Sequence, residues 1–458
     1  MLSGYSNAIT PNIYTSPVQF KAQAQGQVAP QNTQYSSNPS FKGTTPDYSI
    51  RTSLSTKEEK AEYNYLTKHL DKEGKKMLNM VLKNGRLLNA DSNDGSTTLD
   101  NLYKIASTQR ANGMTADILL KHTIKAIADP FTITQHFGDI PQEYKKDVID
   151  KITNNSTHLI ERKLTDIELD DMFSGCCVAA SEEFNLASRK PAEFARFAEG
   201  LSSPNMSVTK NIKLDSLSEK TLDAIWLLNA FEIPYNADNF NNATLTIAPD
   251  KYAIIREQIQ EKHQDPLERS PIDVLMQSAF MNIGSQQAYN TLNDKRGGKF
   301  SNEDRGLIDF EKTFLESVVE DKNITSVTYQ KVDDNQRIIG YETDYETVKN
   351  QLLETLNSGK NIIIGYTMTD PGDNLIRGGH EITIIGSKTD KDGNLKFICN
   401  DTDDDEFTPI EWDAKELIPC IHHAGIPTEI ASKNMTQTDN WVYGVREFNQ
   451  GEGVNKQG

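Results

Sequence analysis

The chain is short of cysteine, with four in 458 residues: Cys176, Cys177, Cys399 and Cys420. Two of them are neighbours, and adjacent residues bridge each other only with strain. A disulfide framework is therefore excluded. The expectation is reduced thiols, in a cytoplasmic chain or one exported by a route independent of a signal peptide. Long apolar runs are missing too. Nothing approaches the roughly 18 residues of a spanning helix, and the N-terminus lacks a basic stretch followed by an apolar one, so no cleavable secretory signal is expected. Basic charge is in deficit: 48 Lys and Arg stand against 66 Asp and Glu, a formal net charge of −18. A surface of that sign repels phosphate backbones and anionic lipid, which argues against nucleic acid and membranes as partners. There is no fixed-period repeat.

What is present divides along the chain. Residues 1–50 are rich in Ser, Thr, Asn, Gln and Pro, with only Lys21, Lys42 and Asp47 charged. They predict a disordered tail, because too little apolar surface offsets the ordering entropy. Residues 51–165 read as helical. KEEKAEYNYLTKHLDKEGKKMLNMVL carries helical spacing throughout, and LDNLYKIASTQR begins a further helix capped by Ser96, Thr97 or Thr98. Between them, NADSNDGSTT reads as a polar connector. Its Gly95 is fifth from Asp91, whereas a calcium-binding EF-hand loop needs glycine sixth. One role open to this helical region is that of a pro-segment over a cleft.

Residues 166–446 read as one α+β domain. Its first part is helical: Pro191 opens a helix that Gly200 ends, and residues about 205–300 read as a helical insertion. From about 325 the pattern changes to strands, in SVTYQKV, RIIGYET, NIIIGYTM, HEITIIG, LKFIC and WVYGVREF. Among them lies one helix, TDYETVKNQLLETLNSG, stopped by Gly359. Residues 447–458 read as a flexible end.

The chemistry is concentrated in two places. The first is Ser174-Gly175-Cys176-Cys177-Val178-Ala179-Ala180-Ser181. Ser174 is a good N-cap and Gly175 allows a tight turn, which places Cys177 in the first turn of a helix. There the unpaired N–H groups and the helix dipole favour an anion, and the thiolate is the reactive form of cysteine. Cys176 reads as a packing residue. The second place is Gly378-Gly379-His380, at the start of the strand HEITIIG. A turn and the strand LKFIC follow, then Asn400-Asp401. The hairpin returns a strand-end Asn or Asp beside His380, where it fixes the ring tautomer. Singly, each feature has a plain structural explanation, since free cysteines are mostly buried and NDTDDD is a solvated acidic loop or a weak cation site. Jointly, a helix-start Cys, a Gly-His strand and a strand-end Asn or Asp make a nucleophile, a base and an orienting group. His422 and His423, near Cys420, form one short cluster with no second ligand pair, so no metal is expected there.

This combination resembles the papain-like cysteine peptidases, including bacterial families that process bacteriocin leaders. Gly175, Cys177, Ala179 and Ser181 match the cysteine motif, His380 the histidine strand, and Asn400 or Asp401 the third member. The resemblance implies a papain-like α+β fold, with a helical half carrying the cysteine and an antiparallel half carrying the histidine. It implies a protein or peptide substrate, thioester chemistry and no cofactor. Three features depart from it. Val178 replaces an aromatic residue. Asp171 stands six residues before Cys177, where the family has its oxyanion-stabilising glutamine. Cys177 and His380 are 203 positions apart, against roughly 130–150 in the papain type. The rival expectations are transglutaminase-like or deamidating acyl transfer on the same triad, an inactive papain-fold binding module, and an adaptor acting through residues 55–165.

Overall fold

The computed structural model describes residues 50–136, 146, 175–212 and, with brief interruptions, 235–439. The expected tail, the segment WVYGVREF, the C-terminal end, Asp171 and Ser174 lie outside the described residues. The first helices are α1 (Lys57–His69), α2 (Lys72–Lys83), α3 (Thr98–Ser107) and α4 (Ala116–Ala128). The expected single helix over KEEK…MVL is thus two. Leu70 is extended, and the Asp71 carboxylate caps α2 by accepting from the Gly74 N–H at 2.7 Å. A capping aspartate at the right offset outweighs continued helical periodicity. Thr97 caps α3 in a reciprocal box with Asp100.

Two helices follow, α5 (Cys177–Arg189) and α6 (Pro191–Leu201). Lys190, before α6, makes no capping bond. The distant connector NADSNDGSTT does that work: Asp91 Oδ1 accepts from the Ala192 N–H at 2.9 Å, and the Asn93 N–H donates to Glu193 Oε2 at 2.8 Å.

The segment read as a helical insertion is mixed. It holds a three-stranded antiparallel sheet of β1 (Val208–Ile212), β2 (Tyr235–Asn236) and β3 (Asn239–Ile247), with β3 central. Then come α7 (Ala253–Lys262), α8 (Pro271–Gly284) and the small hairpin β4 (Tyr289–Asn290) with β5 (Lys295–Arg296). VTKNI and NATLTI carry the alternating β-branched residues of half-buried strands, a pattern hidden by the helical runs on either side.

The helices share one core. A single hydrophobic cluster runs from Leu66, Leu102, Leu119 and Ile124 through Cys177, Phe184 and Phe197 to Phe280 and, in α9 (Asp309–Glu320), Phe314 and Val319. The first helices are therefore built into the body that carries Cys177. Their residues Leu99, Leu119, Leu120 and Ile124 are essentially fully buried in that shared core.

The second half is a seven-stranded, wholly antiparallel sheet in the order β12-β11-β10-β9-β13-β6-β14. Its strands are β6 (Ile324–Thr328), β9 (Ile362–Thr369), β10 (Ile376–Thr389), β11 (Leu395–Asn400), β12 (Ile410–Asp413), β13 (Ile421–Pro427) and β14 (Thr438–Asp439); β7 (Gln330–Val332) and β8 (Ile338–Tyr341) form a separate hairpin. One face packs Ile364, Ile382, Ile384 and Phe397 against α10 (Tyr345–Asn357), α11 (Ala414–Cys420) and α12 (Thr428–Ala431). Alternation along the strands turns the intervening residues toward α5 and α9, and this interface is polar. Lys360 Nζ lies 3.0 Å from Glu316 and 3.0 Å from Glu320, Lys312 pairs with Glu381 at 3.2 Å, and Asn361 donates to Asn185 at 2.9 Å. The fold is α+β. Among the described residues no helix is long and apolar enough to cross a membrane.

Candidate active site

The start of α5 is set by its cysteines. Cys176, not Ser174, is the N-cap residue, and its side chain makes no capping bond. Its sulfur turns inward, 3.0 Å from the Tyr289 hydroxyl and 3.7 Å from Asp294 Oδ1. Tyr289 also donates to Asp294, and Arg269 grips the same carboxylate with both terminal nitrogens, at 3.1 and 3.3 Å. This buried set anchors the first turn. Cys177, the next residue, opens the helix and is 6% exposed. Its backbone N–H is among those that no intrahelical carbonyl satisfies.

His380 is not at a strand start. β10 begins at Ile376, four residues earlier, so the His380 backbone lies within the β9 pairing, directly opposite Tyr366. Its Nε2 lies 2.7 Å from Asp401 Oδ1. Asp401 follows β11, and its carboxylate also accepts from the Asp403 N–H at 2.9 Å. Asn400 pairs with Thr383 in the ladder, and its amide nitrogen has no hydrogen-bond partner among the described residues. Of the two residues left open by the sequence, the geometry selects Asp401. Alternation explains why: Asn400 and Asp401 project to opposite sides, and Asp401 shares the side of His380. Asp401→Ala is therefore expected to slow Cys177 alkylation at pH 6 by about tenfold, and Asn400→Ala by less than about twofold, because only the first removes a charge touching the imidazole. Peptide mass spectrometry of iodoacetamide-treated protein measures both; equal effects would assign the pairing wrongly.

Burial alone would lower the His380 pKa. The Asp401 charge and hydrogen bond, together with Cys177, outweigh it and hold the imidazole well above its ordinary value. Cys177 is thus near enough to act on the ring. With Nε2 engaged by Asp401, Nδ1 is the nitrogen left for the sulfur. The Tyr366 ring meets His380 edge to face at 5.8 Å and Trp412 at 5.6 Å. Burial raises the Tyr366 hydroxyl pKa, with the His380 charge opposing. The structure thus brings together Cys177, His380 and Asp401 from three separated segments and leaves Asn400 apart.

Several neighbours were invisible in the sequence. Gln135 donates to Asp403 at 2.8 Å, and His136 pairs with the same carboxylate at 3.0 Å. Burial works against ionisation of Asp403, but the His136 bond and the His380 charge hold its pKa below the usual range. Gln135 and His136 follow the 3-10 turn Pro130–Thr132, 42 positions before Cys177, with no local pattern to mark them. His423 pairs with Glu381 at 2.9 Å, and the Cys420 sulfur instead donates to the Glu416 carbonyl at 3.4 Å. Burial would raise the Glu381 pKa, yet Lys312 and His423 hold it down to about 2.

No family model, no curated protein and no solved structure significantly matches this chain.

Proposed function

We propose that this protein is a cysteine-type hydrolase of papain-like fold that cleaves peptide or isopeptide bonds through Cys177, His380 and Asp401. One observation carries the reading. A cysteine at a helix N-terminus lies beside a histidine whose far ring nitrogen is bound by a carboxylate at 2.7 Å, the arrangement that nucleophilic acyl transfer needs. The layout supports it as well, with a helical half presenting the cysteine to an antiparallel half that presents the histidine.

In the proposed reaction the Cys177 sulfur attacks the carbonyl carbon, and its proton resides on His380. The carbonyl π electrons move to oxygen, where the Cys177 backbone N–H is the nearest available donor. Collapse expels the amine, which takes the proton from His380 and leaves a thioester on Cys177. Water then attacks as His380 accepts its proton. The thioester breaks, the acid leaves, and the proton returns to sulfur. Asp401 keeps the ring in the required tautomer throughout. No cofactor enters these steps. If an amine replaces water in the second half, the same residues perform transglutaminase-type transfer.

The test is acylation by p-nitrophenyl acetate. Wild type should release a burst of about one nitrophenolate per chain and carry acetyl on the Cys177 peptide, then turn over; Cys177→Ser should do neither. A low exposure of Cys177 and the acidic residue Asp171 favour a second reading, an inactive papain-fold binding module. Absence of the burst in folded wild type would establish that alternative, and acetyl transferred to added glycine amide in preference to water would select the transferase.

A further inference from the structure

Within the loop after β11, one short bond holds Asp401, from the Asp403 N–H to its carboxylate at 2.9 Å. The loop carries Asp401, Asp403 and Asp404, whose charges repel one another, and its internal backbone bond from the Asp404 N–H to the Asp401 carbonyl is long, at 3.4 Å. Further support comes from a segment 268 positions away in the chain. The Gln135 N–H donates to the Thr402 carbonyl at 3.0 Å, its Nε2 donates to Asp403 Oδ1 at 2.8 Å, and its Oε1 accepts from the Thr402 hydroxyl at 3.2 Å. Thr134 Oγ1 adds a bond to the Thr402 carbonyl at 3.1 Å.

Gln135 also faces the cysteine side. Its carbonyl accepts from Arg269 Nε at 2.8 Å, and the neighbouring His136 carbonyl accepts from the Arg269 N–H at 2.6 Å. Arg269 is the residue that grips Asp294 beneath Cys176. All four polar groups of Gln135 are therefore committed, one to the anchor of the nucleophile helix and three to the loop of the orienting carboxylate. The residue is 5% exposed, so these bonds are made away from competing water.

We propose that Gln135 is a positioning residue for this site: it ties the Asp401 loop to the Cys176–Cys177 anchor and so sets the His380–Asp401 pair against the nucleophile. The inference rests on the Cys177–His380–Asp401 reading. The side chain is chemically specified. Asp403 needs a donor and the Thr402 hydroxyl an acceptor, and only a primary amide supplies both at that reach. Glutamate would place a carboxylate against Asp403, and leucine would leave the Thr402 hydroxyl without its acceptor and the Asp403 carboxylate to His136. The effect passes to Asp401 through the Asp403 N–H, 2.9 Å from the Asp401 carboxylate. The charged and titratable groups then facing His380 are Asp401, Cys177, Asp403 and Tyr366.

The experiment uses the full chain. Cys177 alkylation by iodoacetamide is followed from pH 5 to 9 by peptide mass spectrometry in wild type, Gln135→Leu, Asp401→Ala, the double variant and His380→Ala. A core control, Leu78→Ala, lowers stability far from the site. Gln135→Leu should cut the pH 6 rate by about tenfold, approaching Asp401→Ala, while Leu78→Ala keeps the wild-type profile. The double variant should be no slower than Asp401→Ala alone, since both act through one group. A wild-type profile in Gln135→Leu, or losses that multiply in the double variant, would overturn the inference. If Gln135→Leu does not fold, Thr402→Val deletes one of the three loop bonds and should slow alkylation by about threefold, again not in the Asp401→Ala background; no slowing there overturns the inference equally. A profile insensitive to His380→Ala identifies the other failure, that of the triad reading itself.

Discussion

His380→Ala will slow alkylation of Cys177 at pH 6 by about a hundredfold and leave the rate at pH 9.5 nearly unchanged. The argument starts from the charge on the ring. Burial opposes that charge, but Asp401 at 2.7 Å and the adjacent Cys177 hold the imidazole pKa well above its ordinary value. At pH 6 the ring is a cation next to the sulfur. An imidazolium there stabilises the negative charge that the attacking sulfur carries in its reaction. The enhancement is present wherever the imidazolium persists and fades as pH rises through the raised His380 pKa. Once the imidazole is neutral it no longer assists the sulfur, so the two proteins converge. The same linkage has a stability consequence. A histidine whose folded pKa exceeds its unfolded value of about 6.5 stabilises the fold most below that value and loses the contribution as pH climbs through the folded pKa. His380→Ala should therefore lower the thermal midpoint more at pH 6 than at pH 9. Slow, pH-steep alkylation in wild type that is indifferent to the mutation would reduce Cys177 to a packing residue of α5.

The parts of this site legible in the sequence were those marked by local chemistry. Cys177 stood out because a helix start changes what a thiol does, and His380 because two glycines precede it and an apolar strand follows. Asp401 was reachable because a hairpin returns its end to its beginning. Asn400 could not be discarded from the sequence, since one position of register separates the two faces of a strand, and register depends on the turn and the irregularity between Ile384 and Gly386. The sheet in the segment from Val208 to Ile247 was hidden for a similar reason: short strands between long helical runs carry too few residues to show period two against period 3.6. Gln135, Arg269 and Asp294 were illegible altogether. Their roles exist only through partners tens to hundreds of positions away, and no composition or spacing records that. The α+β class followed from the change of pattern near residue 325. The continuity of the helical core from α1 to α9 did not, because an amphipathic helix shows that it has a buried face and not what covers it.

The largest stability effect should come from Lys360→Met, expected to cost about 3–5 kcal/mol at pH 8. Lys360 enters the polar layer between α5, α9 and the sheet, with 1% of its side chain exposed, and contacts Glu316 and Glu320 at 3.0 Å each. Glu182 shares the space, fully buried, with neither carboxylate oxygen hydrogen-bonded among the described residues. Burial disfavours the Lys360 cation, but Glu320, Glu316 and Glu182 reverse this and raise its pKa. For Glu320 burial is outweighed by Lys360 and its pKa falls, whereas burial and the neighbouring carboxylates drive Glu182 well up. Glu316 is also raised, with burial prevailing over Lys360. The raised groups cost stability as pH climbs above about 4.5, and Glu320 adds stability there that is lost in acid. Removing the ammonium turns Glu320 into another raised group, so the variant's stability should fall steeply between pH 5 and pH 8. Its deficit should shrink at pH 5, where the orphaned carboxylates can take up protons. Adding Glu182→Gln should recover part of the loss, because it replaces a carboxyl whose ionisation the site opposes with a neutral amide of the same shape. Urea denaturation followed by circular dichroism at the two pH values measures all three chains. A deficit below about 1 kcal/mol with no pH dependence would mean that the layer is not ionised as drawn, and that Lys360 contributes by packing its stem alone.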